Sequence, residues 1–131
     1  MRVLSIEACP VMSSNIRLVL SHAGLKVHTA NSGQDGIHLA KHYNHNLILL
    51  EFELPDMTGH DVLRQLRHAR TSTPVMVLAK MNDAENKLKA FSLGADNYLS
   101  KPFHCKELTA RTYAIVRRTD SHASQPSRSA Q

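Results

Sequence analysis

The run Leu47-Ile48-Leu49-Leu50 places four branched apolar residues in succession with nothing polar between them. A strand with one solvated face alternates apolar and polar residues, so this run reads as a strand buried on both faces, the environment of a parallel sheet covered by helices on each side. Similar short runs occur at Val3-Leu4-Ser5-Ile6, from Val27 to Ala30, at Pro74-Val75-Met76-Val77-Leu78-Ala79 and at Asn97-Tyr98-Leu99-Ser100. The proline in the fourth run stands where a strand can begin. The intervening segments carry apolar residues at helical spacing. The first holds Ile16, Val19, Leu20 and Ala23, with Ser13 or Ser14 as its cap and Gly24 as its stop. The second follows Asn31-Ser32-Gly33 and holds Ile37 and Ala40; the third follows the turn Leu54-Pro55-Asp56-Met57-Thr58-Gly59 and holds Val62, Leu63 and Leu66. The fourth holds Leu88 and Phe91, with Asp83 as cap and Gly94 near its end, and the fifth runs from about His104 to Val116. Strand and helix alternate five times, which predicts an α/β fold: a doubly wound parallel (βα)5 sheet with right-handed crossovers.

At 131 residues the chain suits one domain, assigned to residues 1–118, with residues 119–131 as a tail of Ser, Ala, Gln, Arg and Pro expected to be disordered. The 42% hydrophobic and 21% charged fractions exclude collagen-like and wholly disordered classes. No apolar stretch approaches the ~18 residues of a membrane span and no signal peptide opens the chain, so a cytoplasmic protein with no membrane partner is expected. The net charge of +5 raises nucleic acid as a partner. The basic residues are scattered, however, and Arg117, Arg118 and Arg128 follow Val116, so a solvated surface with a basic tail is the reading adopted, without direct nucleic-acid binding. His38, His42 and His45 approach metal spacing, but no cysteine or carboxylate is placed to complete a site, and a solvent-facing stripe is expected. Cys9 borders the site described next and Cys105 opens the fifth helix. They are expected not to bridge, since a disulfide needs Cα atoms within about 7 Å.

In open α/β sheets ligands sit at the carboxyl ends of the strands. Those ends read Glu7-Ala8-Cys9, Glu51-Phe52-Glu53, Ala79-Lys80 and Ser100-Lys101. Carboxylates beside lysine suit a cation or a phosphoryl oxygen, or simply pair with one another.

Six segments carry a resemblance: Arg2-Val3-Leu4 leading to Glu7, Leu47 to Glu51, Leu54-Pro55-Asp56-Met57-Thr58-Gly59, Thr73 to Leu78, Gly94-Ala95-Asp96-Asn97-Tyr98 and Lys101-Pro102-Phe103. In this order and spacing the chain resembles the response-regulator receiver domains of two-component systems, in the wording of the OmpR/PhoB class. The resemblance implies a flavodoxin-like fold with strand order 2-1-3-4-5. It also implies a phosphorylation pocket at Glu7, Ala8, Glu51, Ala79 and Lys101, of which three depart from the family pattern. Ala8 stands for the second carboxylate of an acidic pair that helps hold Mg²⁺. Glu51 stands for the phospho-acceptor aspartate, and Ala79 for the Ser or Thr that binds the phosphoryl group. Lys101 is retained. Phosphoryl transfer relies on positioning and charge neutralisation, and a nucleophile displaced by about 1 Å can cost on the order of a hundredfold in rate. The pocket is therefore expected not to support normal aspartyl phosphorylation, and Mg²⁺ binding is expected to be weak or absent, with no other cofactor. Glu51 either imitates a phospho-aspartate by reaching toward Lys101 or forms a buried ion pair that fixes one inert conformation; the second is preferred.

By the same resemblance Tyr98 is a switch residue or an ordinary packed aromatic, and the fourth helix, fifth strand and fifth helix form an output face. Its apolar patch would be Leu88, Phe91 and Ala110, and its charged frame Lys87, Asp96, Glu107, Arg111 and Arg118. Asn97 stands where the class usually has Asp. The competing reading makes Leu88 and Phe91 core residues and leaves the charges solvated. The function expected is that of a non-enzymatic, stand-alone pseudo-receiver acting by phosphorylation-independent protein contact, with a related response regulator or a second copy as partner. Two alternatives stand beside it. One is the regulatory domain of an OmpR/PhoB-class DNA-binding transcription factor, against which the polar end of the chain is read. The other is an atypical phospho-acceptor that uses Glu51.

Overall fold

A computed structural model describes residues 1–80 and 84–123. Five strands, β1 (Arg2–Ile6), β2 (Lys26–Ala30), β3 (Leu47–Glu51), β4 (Val75–Lys80) and β5 (Asn97–Lys101), alternate with five helices, α1 (Pro10–His22), α2 (Gly33–His42), α3 (Gly59–His68), α4 (Ala84–Ser92) and α5 (Cys105–Ala123). The strands form one sheet in the order β2-β1-β3-β4-β5, every neighbouring pair parallel. β3 lies at its centre and all five of its residues are buried, which explains the unbroken apolar run. Burying a Leu or Ile side chain contributes roughly 1.5–3 kcal/mol.

Side chains alternate along each strand and divide the core in two. Leu4, Ile6, Ile48, Leu50, Val75 and Val77 face α2, α3 and α4 through Ile37, Val62, Leu63, Leu66 and Ala90. Val3, Leu47, Leu49, Met76, Leu78 and Leu99 face α1 and α5 through Ile16, Leu20, Leu108, Ile115 and Val116. Parallel pairing brings the carboxyl ends of the strands to one rim: Glu51 lies opposite Leu78, and Lys80 opposite Lys101.

Two anchors hold the opposite ends of this frame. The Asp56 carboxylate accepts the N–H groups of Gly33 and Gln34, each at 2.9 Å, tying the β3–α3 loop to the first turn of α2. These amides hold the Asp56 carboxyl below the ordinary carboxylate range. The Arg67 guanidinium donates to the carbonyls of Thr71, Thr73 and Gly94 and to the Asp96 carboxylate, joining the end of α3 to the α4–β5 turn. Gly94 takes φ +108° in that turn, a conformation that favours glycine.

The helix ends differ from the sequence reading. α1 begins at Pro10, with Cys9 as N-cap, rather than at Ser13 or Ser14. Proline presets the backbone for the first helical position and has no N–H to leave unpaired, and Ser13 is buried within the helix. α5 continues past Val116 to Ala123, so residues 119–123 of the supposed tail are helical. No glycine or proline interrupts the sequence between Val116 and Pro126, and polarity alone does not end a helix. The Asp83 cap and residues 124–131 lie outside the described residues.

Candidate functional site

The rim holds a cavity of about 450 Å³ lined by Glu7, Ala8, Glu51, Lys80 and Lys101, with Cys9 at its edge. Lys101 Nζ pairs with Glu51 Oε1. Order along the sheet puts β4 between the two residues, so the two side chains together span two strand spacings, roughly 10 Å. The Glu51 side chain is 5% exposed and that of Lys101 26%. Glu51 Oε2 accepts the Glu53 N–H at 3.1 Å. Both acceptor oxygens of Glu51 are therefore engaged, one by a cation and one by the backbone. Lys80 pairs instead with Glu53 at 3.3 Å, on the exposed outer lip.

Glu7 is buried beside this pair. Its Oε2 accepts the Cys9 N–H at 3.1 Å, whereas Oε1 meets no hydrogen-bond partner among the described residues. Burial pushes the Glu7 carboxyl above the ordinary carboxylate range. The Cys9 amide and Lys101 offset part of that rise, and the neighbouring Glu51 adds to it. Ala79 is buried and brings no polar side-chain atom to the rim, and neither does Ala8. The structure thus brings together all the pocket positions expected from the sequence except Ala79, which packs in the core facing α2–α4.

The α4–β5–α5 surface has a mixed character. Leu88 is 71% and Phe91 41% exposed; the residue that α4 buries is Ala90. The reading of Leu88 and Phe91 as core is overturned, because α4 rests on the sheet through the small Ala90 and turns its larger apolar residues outward. Ala110 is exposed on α5. Tyr98 is buried in the core; its ring lies 6.4 Å from that of Phe91, and Lys87 Nζ stands 5.7 Å from its centroid. The charged frame is partly used within the chain. Arg111 donates to Asn97 Oδ1 at 2.9 Å and pairs with Glu107 at 3.3 Å. Asp96 turns away to accept from Arg67 and from the Val75 N–H. Arg118 donates to the Ala114 carbonyl.

Some residues carry roles that sequence reasoning missed. Asp56 was legible only as turn chemistry, since its donors, the Gly33 and Gln34 N–H groups, lie on another element. His60 is buried against Phe52, with ring centroids 4.8 Å apart, and its Nε2 meets the Asn86 carbonyl at 3.2 Å. The expected solvent-facing histidine stripe holds for His38 and His42, which are exposed with rings 4.2 Å apart. It fails for His45, which is half-buried with Nε2 at 3.1 Å from His28 Nδ1. Both cysteines are exposed and free. None of the described helices is long and apolar enough to cross a membrane.

Comparison with known proteins places this geometry. The family model for the response regulator receiver domain matches residues 3–113. The cell cycle transcriptional regulator CtrA of Caulobacter vibrioides is 46% identical over 123 residues, covering 94% of this chain and 53% of the relative. The cell cycle response regulator CtrA of Brucella ovis is 45% identical over the same shares. The chain thus spans about half the length of the curated relatives it matches. The receiver domain of Francisella response regulator 1452 superposes with a TM-score of 0.86 at 28% identity, covering 90% of this chain and 98% of that one. A two-component response regulator from Clostridium difficile gives 0.85 at 26% identity, covering 90% and 97%. The order β2-β1-β3-β4-β5, the carboxylate–lysine rim and these likenesses agree: the chain belongs to the response regulator receiver family.

Proposed function

We propose that this receiver signals through protein contact without an aspartyl phosphorylation cycle. The observation that carries the reading is the buried Glu51–Lys101 pair at the phospho-acceptor position, with both Glu51 oxygens engaged. A nucleophile must approach the phosphoryl group in line, and the Lys101 ammonium on one oxygen and the Glu53 N–H on the other hold the Glu51 carboxylate where it stands. The rim also fits Mg²⁺ poorly. That ion requires near-octahedral oxygen coordination. Ala8 supplies no oxygen, Glu51 is committed to Lys101 and the Glu53 N–H, Glu53 pairs with Lys80 on the exposed lip, and burial favours the neutral form of Glu7. Ala79 has no hydroxyl to follow a charge at the rim. The ion pair instead holds β3 and β5 in one relative arrangement.

What remains for such a module is a binding face. Leu88 and Phe91 lie exposed on α4, with Ala110 exposed on α5 and Lys87, Glu107, Arg111 and Arg118 as the charged residues of these two helices, while Asp96 is engaged by Arg67. The partner is a protein, either a related response regulator or a second copy, and the setting is the cytoplasm. The test of the inert pocket is incubation with acetyl phosphate and Mg²⁺ followed by intact-mass measurement. No phosphoryl adduct is expected; a stoichiometric adduct overturns the proposal and supports a Glu51 phospho-acceptor. A second reading, the regulatory part of a longer transcriptional regulator, is favoured by the length of the relatives, about twice the matched span. This chain alone is expected to give no sequence-specific gel shift.

A further inference from the structure

Away from the rim, β2 forms one edge of the sheet, and His28 on it faces His45 from the α2–β3 connection. We propose that these two imidazoles form a binding site for a borderline divalent transition metal such as Zn²⁺. His28 Nδ1 and His45 Nε2 lie 3.1 Å apart. Two nitrogens bound to one metal at about 2.0–2.1 Å, at angles between square and tetrahedral, are separated by roughly 2.9–3.4 Å. The pair therefore stands at chelating separation; on metal binding the two rings tilt so that both lone pairs meet the ion, and the proton between them leaves to the far nitrogen of the His28 ring or to solvent.

The surroundings fit that role. The Tyr43 backbone hydrogen-bonds His45, which fixes its ring as second-sphere carbonyls fix metal-bound histidines and leaves Nε2 to face His28. The Tyr43 ring meets His28 edge-on at 5.6 Å, limiting its rotation. A cavity of about 300 Å³ lined by His28, Thr29, Leu39 and Tyr43 leaves room for water to complete the coordination. Two neutral nitrogens with no carboxylate select imidazole-preferring ions, Cu²⁺, Ni²⁺ and Zn²⁺, over Mg²⁺. With two protein ligands and the Arg2 charge nearby, affinity is modest. The ion would clamp the edge strand to the loop that leads into β3.

The test is a ZnCl₂ titration of the untagged full chain, followed by the ring-nitrogen and ring-proton NMR signals of each histidine, with MgCl₂ as the control ion. Zn²⁺ is expected to give saturable shifts of the His28 and His45 signals, while Mg²⁺ gives none. His28→Ala should weaken zinc binding at His45 at least tenfold. The double variant His38→Ala/His42→Ala should leave the His28 and His45 shifts intact. Zinc shifts confined to His38 and His42, an unchanged His45 response in His28→Ala, or no saturable shift at His28 and His45 would each overturn the site.

Discussion

Removing the lysine of the rim pair should cost more than removing its glutamate. In Lys101→Met the Glu51 carboxylate, 5% exposed, keeps only the Glu53 N–H. Stripping the partner from a fully buried charge pair costs about 3–5 kcal/mol. The rim cavity opens to solvent, which softens that penalty, so about 2–3 kcal/mol is expected here. In Glu51→Gln the abandoned ammonium sits on a side chain already 26% exposed. Its flexible stem carries the charge into water, and the loss should be about 1 kcal/mol. The double variant Glu51→Gln/Lys101→Met leaves no buried charge at this pair and should be more stable than Lys101→Met alone. Urea unfolding of the four proteins at pH 7, extrapolated linearly, measures all three differences. If Lys101→Met destabilises no more than Glu51→Gln, the carboxylate is not held by the lysine and the argument for a locked rim fails.

Three further outcomes follow from other parts of the molecule. The Glu7 carboxyl is raised in the fold, so the folded state binds the extra proton and Glu7 lowers stability as pH rises through and above the ordinary carboxylate range; Glu7→Gln should be more stable than the parent at pH 7 in urea unfolding, with the gain fading as pH falls toward 4. Gly36→Ala should destabilise by about 1–3 kcal/mol in thermal unfolding despite alanine's better helix propensity, because a Cβ there would stand 2.4 Å from Ile6 Cδ1 in the core. Glu51→Asp alone should remain unlabelled by acetyl phosphate, whereas Glu51→Asp/Ala8→Asp/Ala79→Thr should acquire the phosphoryl adduct seen by intact mass, since only the triple variant restores the metal ligand, the shorter nucleophile and the hydroxyl together.

The sheet was legible because its residues leave few alternatives. Leu47 to Leu50 have no polar face to expose, and the strand–helix alternation around them admits one layered arrangement. The rim was legible for the same reason: strand ends are marked by the first polar residue after each run, and Glu7, Glu51 and Lys101 are those residues or follow them directly. What stayed hidden depends on contacts between distant segments. Asp56 caps α2 from across the β3–α3 loop, and Arg67 gathers carbonyls from two turns, neither of which has a periodicity to read. Asp96, expected in the charged frame of the output face, stays exposed but pairs with Arg67 at the end of α3 instead. The outward turn of Leu88 and Phe91 follows from Ala90 taking the sheet-facing position, and apolar content alone does not reveal a helix's rotation. The raised Glu7 carboxyl needs two facts the sequence lacks, its burial and the nearness of Glu51.

The central claim is that Glu51, Lys101 and the two alanines leave a rim unable to assemble a metal-bound phosphoryl group. Titrating the ¹⁵N-labelled chain with Mg²⁺ and beryllofluoride, a phosphoryl mimic, addresses it at the atoms concerned. The backbone amides of Ala8, Glu51, Ala79 and Lys101 are expected to keep their positions throughout. Saturable shifts at those amides that appear only when both reagents are present would contradict the account.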